Sequence, residues 1–73
     1  MKKCYKPITE EQKLGYLVEE CGEVLAALGK SLRWGLDSFN PEVSEQEQEL
    51  NRSWIARELK DLKRAIKFVE DIL

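Results

Sequence analysis

Trp54-Ile55-Ala56-Arg57-Glu58-Leu59-Lys60-Asp61-Leu62, continued by Lys63-Arg64-Ala65-Ile66-Lys67-Phe68-Val69-Glu70-Asp71-Ile72, is the stretch that decides the fold. At ~100° per residue, Trp54, Ile55, Leu59, Leu62, Ala65, Ile66, Val69 and Ile72 fall on one broad apolar arc of a long helix. Glu58 projects into the middle of that arc and Asp61 onto its edge. A bare carboxylate there is costly to desolvate, so it needs a cation or a tight polar partner.

Upstream, Thr9-Glu10-Glu11-Gln12 is a capping box, with Thr9 at the N-cap and Gln12 at N3. It predicts a first helix to about Leu32 or Trp34, stopped by Gly35. Residues 1–8 read as an extended lead-in. That helix carries two stripes. Leu14, Leu17, Val18, Cys21, Val24, Leu25 and Leu28 form the hydrophobic one, which predicts a buried free thiol at Cys21. Tyr16, Glu20, Glu23 and Ala27 form its neighbour, with Tyr16 read as core. Gly15, Gly22 and Gly29 recur every seven residues near one face, which predicts close approach of another helix there.

Between the helices, residues 35–44 hold the turn formers Gly35, Asp37, Ser38, Asn40 and Pro41. Ser44-Glu45-Gln46-Glu47 is a second capping-box pattern and Asn51 a competing start, so the second helix begins between Ser44 and Ser53. The expected fold is all-α, a single domain over residues 1–73, built as a helical hairpin of two long helices. Two helices cannot cover both broad apolar faces at this length, and oligomerisation is a usual remedy. A homodimer or dimer of dimers completing a four-helix bundle is expected.

Composition removes several function classes. The 73 residues include no histidine, which excludes Ser-His-Asp and Cys-His catalysis and histidine-containing zinc sites. Two cysteines, Cys4 and Cys21, are too few for a disulfide scaffold or a four-cysteine zinc site. A net charge of −2 argues against coating nucleic acid. No apolar run suits a signal peptide or a membrane span, so a cytoplasmic, reducing home is expected.

Glu20 and Glu23 are three apart, which puts both carboxylates on one helix face, one turn apart. Glu58 and Asp61 repeat that spacing. Antiparallel helices can bring all four to one point in the core. Four carboxylates without nitrogen or sulfur partners select Mg²⁺, or Mn²⁺, over zinc. Such a site suits hydrolysis of a phosphoanhydride, with Glu19 the first candidate to hold or deprotonate the attacking water.

The words Glu19-Glu20-Cys21-Gly22-Glu23 and Glu58-Leu59-Lys60-Asp61 resemble the paired acidic signature of the MazG-like all-α nucleoside triphosphate pyrophosphohydrolases. The resemblance spans roughly Leu14 to Val69. It implies a helical bundle that cleaves nucleoside triphosphates to monophosphate and pyrophosphate with Mg²⁺. Carried over, Glu20, Glu23, Glu58 and Asp61 are the metal ligands and Glu19 an accessory acid. Phosphate contacts fall to Lys30 and Arg33, base stacking to Trp34 or Phe39, and a base edge or ribose to Asn40. Lys60, Lys63, Arg64 and Lys67 read as the solvated face of the second helix. The runner-up is a non-catalytic helical dimerisation or regulatory module that keeps metal or nucleotide binding, motivated by the absence of the further C-terminal helix of longer members. The base, the sugar and the phosphate number stay open, with dUTP and phosphoribosyl-ATP among the alternatives.

Overall fold

The computed structural model describes residues 6–73. The start of the expected lead-in, with Cys4, lies outside the described residues. Two helices make up the architecture: α1 over Glu10–Trp34 and α2 over Asn51–Glu70. No strand is present among them, only an isolated antiparallel bridge between Phe39 and Leu50. The all-helical hairpin is therefore as the apolar periodicity requires.

Helix α1 begins on the expected capping box. Gln12 N–H donates to Thr9 Oγ1 at 3.0 Å and Thr9 N–H to Gln12 Oε1 at 3.2 Å. Its other end stops at Gly35, whose φ of 102° lies where a Cβ is strained. Gly35 N–H still donates to Ser31 O at 2.7 Å, closing the last turn.

Helix α2 starts differently from the Ser44 pattern. Glu45–Glu47 is an isolated 3₁₀ turn, and Ser44 makes no capping bond. The first helical residue is Asn51, and no side chain caps it. The reason is that the connector supplies carbonyls instead. Asn51 N–H donates to Ser38 O and Arg52 N–H to Leu36 O, each at 2.8 Å, so the orphan donors of the first turn are satisfied by backbone. Asn51 Nδ2 adds a bond to Gly35 O at 2.8 Å. One buried asparagine thus ties the end of α1 to the start of α2.

The helices run antiparallel. Tyr16 and Phe68 pack with ring centroids 6.0 Å apart at one end, and the Asn51–Gly35 bond closes the other. Between them, the buried side of α1 is Tyr16, Glu20, Val24, Ala27 and Ser31. From α2 come Glu58, Ala65 and Val69. Ala27 and Ala65 have no exposed surface at all, which lets the backbones come close.

The stripe that α1 turns toward α2 is the mixed stripe of Tyr16, Glu20 and Ala27, joined by Val24 from the hydrophobic one. Leu14, Val18, Leu25, Leu28 and Leu32 are exposed, Val18, Leu25 and Leu32 by 71%, 69% and 84%. Cys21 lies on the same side and its thiol is exposed, not buried. That side is roughly 120° round the helix from the buried one, beyond the reach of a single partner helix. Leu59 and Ile66 on α2 are likewise exposed. The glycines show no close approach either: a Cβ at Gly15, Gly22 or Gly29 meets nothing within 4 Å. Lys60, Lys63, Arg64 and Lys67 are exposed, as the helical wheel requires. No described helix is long and apolar enough to cross a membrane.

Candidate metal centre

The antiparallel register carries Glu20 of α1 to the same level as Glu58 and Asp61 of α2. One carboxylate oxygen from each of these three residues lies within 4.8 Å of the other two. Oxygens bound to one Mg²⁺ at ~2.1 Å sit about 3 to 4 Å apart, so small rotations of the side chains bring these three onto one ion. Glu20 and Glu58 are buried, at 8% and 5% exposure, and Asp61 is half-buried.

Their hydrogen bonding is incomplete. Glu20 Oε2 and Glu58 Oε2 are both buried without a partner, and so is the Tyr16 hydroxyl beside them. An unpaired buried carboxylate oxygen carries an unrelieved desolvation cost. Nearby cations relieve little of it. Arg57 Nη1 stands 3.4 Å from Glu58 Oε1 and Arg64 Nη1 3.7 Å from Asp61 Oδ1, and both guanidinium groups are largely solvent-exposed.

The acids respond by holding protons more tightly. Burial first, then the charges of Asp61 and Glu58, push the Glu20 carboxyl above the usual carboxylate range. Burial likewise raises Glu58, with neighbouring Glu23 adding to the rise and Arg57 opposing it. Tyr16 is raised by burial and by the charge of Glu20. Like-charge crowding of this kind marks where a cation fits. All-oxygen donors suit a hard ion such as Mg²⁺ or Mn²⁺.

The remaining expected site residues divide. Glu23 is exposed and stands outside the buried trio, next to Glu58. Glu19 is exposed and adjoins Glu20. At the far end of α1, Lys30 and Arg33 each lie 5.5 Å from the Trp34 ring centre. Lys30 also pairs with Glu42. The expected phosphate cations and stacking ring therefore engage one another. Phe39 is 46% exposed at the bridge to Leu50. Asn40 is buried, and its Oδ1 accepts from Glu42 N–H at 2.9 Å.

A cavity of about 150 Å³ opens between the connector and α2, lined by Asn40, Val43, Glu47, Glu49, Trp54 and Arg57. Sequence reasoning placed Asn40 at the nucleotide but read Trp54 as core and left Arg57, Glu47 and Glu49 unassigned. Trp54 and Arg57 are one turn and one residue before Glu58, a proximity that was visible in the sequence. The folding back of 43–49 over them was not.

No protein-family model, no curated protein and no solved structure matches this chain.

Proposed function

We propose that this protein is a divalent-cation-dependent pyrophosphohydrolase of nucleoside triphosphates, releasing the monophosphate and pyrophosphate. One observation carries the reading: Glu20 and Glu58, from separate helices, are buried together with orphaned oxygens and Asp61 at hand. The order and spacing of the acids resemble the MazG-like signature, whose members work as helical bundles. In this reading Glu20, Glu58 and Asp61 hold the ion, and Glu23 joins it from its place beside Glu58. A bound Mg²⁺ supplies charge neutralisation for phosphate oxygens and lowers the pKa of water. Glu19, outside the trio, holds the attacking water and takes its proton.

The reading includes a second copy of the chain. Leu14, Val18, Cys21, Leu25, Leu28 and Leu32 alternate in steps of four and three along the exposed side of α1, the spacing of a knobs-into-holes seam. Dimerisation through it completes a four-helix bundle. The free thiol of Cys21, which the seam would cover, suits a reducing cytoplasm.

The test is pyrophosphate release from a panel of nucleoside triphosphates with Mg²⁺ present. Wild-type protein is expected to release pyrophosphate from at least one of them, and Glu58→Gln to abolish release. A folded dimer silent on the whole panel removes the catalytic reading. The exposed seam favours what then remains, a helical dimerisation module. In that case Mg²⁺ raises the melting temperature little, and Glu58→Leu stabilises the fold.

A further inference from the structure

Two arginines of α2 stand at the rim of the buried trio. Arg57 Nη1 is 3.4 Å from Glu58 Oε1 and Arg64 Nη1 is 3.7 Å from Asp61 Oδ1. We infer that these two guanidinium groups grip the substrate's phosphate chain on either side of the ion, an inference that rests on the pyrophosphohydrolase reading. It moves the phosphate contacts to α2 from Lys30 and Arg33.

Placement is the first argument. Relative to Asp61, Arg57 and Arg64 lie about 40° and 60° round α2, both toward the same side. Lys60, Lys63 and Lys67 lie about 100° to 160° round it, beyond them. Only the arginines among these cations therefore share the edge of the helix that carries Asp61. Seven residues separate them, two turns or about 10 Å, with Glu58 and Asp61 in between. By contrast, Lys30 comes about 15 Å after Glu20 along α1, where Glu42 and the Trp34 ring engage it.

Availability is the second argument. Both arginine side chains are 56% exposed. Each guanidinium has a fork of N–H donors, and both stand farther from the acids than the ~2.8 Å of a charge-assisted hydrogen bond. Arg57 uses Nη2 on Glu49, and Arg64 stands by Asp61 and the Tyr16 hydroxyl. Further donors on both groups are left to face solvent beside the acids. Such planar forks match phosphate oxygens in pairs.

Charge is the third argument. A divalent ion offsets only two of the trio's three negative charges, so an ion-filled trio without other cations still repels a polyanion. The arginines supply the missing positive charge where the phosphates must lie.

Titration calorimetry of the full chain tests this, first with MgCl₂ and then with pyrophosphate in saturating Mg²⁺. Arg57→Gln and Arg64→Gln are each expected to weaken pyrophosphate binding about tenfold. Their affinity for Mg²⁺ alone is expected to hold or rise, because a guanidinium competes with the ion for the same carboxylates. Arginines that only balance the acids would change Mg²⁺ binding and leave pyrophosphate binding unchanged at saturating Mg²⁺. Lys63→Gln, the same loss of charge on the far side of α2, is expected to change neither. Pyrophosphate affinity that is unchanged in both arginine variants, equally weakened in Lys63→Gln, or absent from the wild type overturns the inference. Cleavage of a triphosphate with unchanged KM in both arginine variants also overturns it while leaving the proposed activity standing. Pyrophosphate binding that needs both arginines, without cleavage of any triphosphate, keeps the phosphate site and removes the activity.

Discussion

Arg57 Nη1 stands 3.4 Å from Glu58 Oε1, while Nη2 of the same guanidinium holds Glu49 Oε1 at 2.7 Å. The cation next to the buried acid is thus shared with the connector. Glu20, across the helix interface, has no ion-pair partner among the described residues. The acid cluster therefore carries more negative charge than the neighbouring guanidiniums neutralise.

Mg²⁺ or Mn²⁺ is expected to stabilise the fold by filling that deficit. At a concentration one hundred times the dissociation constant, the gain is about 2.7 kcal/mol. Differential scanning calorimetry with and without the ion measures it. Glu58→Leu removes a buried charge lacking full compensation, so it is expected to raise the metal-free melting temperature and abolish the response to Mg²⁺. A Mg²⁺ shift that persists in Glu58→Leu places the ion elsewhere.

Stability of the metal-free protein is expected to rise as the pH falls from neutral toward about 4.5. Glu20 and Glu58 have raised carboxyl pKa values in the fold, so the folded state binds more protons than the unfolded state in that window. Their contribution is complete below the ordinary glutamate value and is lost as pH rises through the raised ones. Asp37 and Glu42 shift the other way, lowered by Arg52 and Lys30, but both are fully exposed and count for little. Urea denaturation across this range checks the sign, and saturating Mg²⁺ should flatten the curve.

Leu25→Asp is expected to dissociate the oligomer, read as a fall in mass by light scattering. Leu25 lies mid-seam and exposed in the single chain, so the substitution costs the hairpin little by itself. The melting temperature of the wild type should rise with protein concentration, and that of the variant should not.

Gly15→Ala is expected to stabilise by about 0.5–1 kcal/mol, because the added methyl meets nothing in the hairpin and glycine weakens a helix interior. A loss of stability would show that a second chain lies against that side of α1. Chemical denaturation of the single variant decides it.

Asn51→Ala is expected to cost about 1–3 kcal/mol. Asn51 is fully buried and its amide holds Gly35 O at the junction of the helices. The loss should appear in the denaturation midpoint at unchanged slope.

The hairpin was legible in the sequence because its cues are local. Thr9 and Gln12 cap α1 across four residues, Gly35 ends it, and the apolar period from Trp54 to Ile72 spells α2. The pairing of acids was legible as well, since Glu20 with Glu23 and Glu58 with Asp61 are one turn apart in any helix. Less legible was which side of α1 faces α2. The sequence showed two stripes on α1 without assigning either to α2, and the chain turns Tyr16, Glu20, Val24 and Ala27 inward. The start of α2 was legible only as a choice between Ser44 and Asn51, and the helix takes the second. The Ser44 motif was sound, but Leu36 and Ser38 carbonyls reach the first amides of α2 and set the start at Asn51.

By itself the sequence determined the elements, their rough ends and the candidate acids, since periodicity, caps and turn residues act over a few positions. Tertiary structure alone decided that Glu20, Glu58 and Asp61 meet while Glu23 stays outside, and that Asn40 and Trp54 share a cavity. Those outcomes depend on the rotation and register of one helix against the other, which packing across the whole interface selects and no short stretch of sequence encodes.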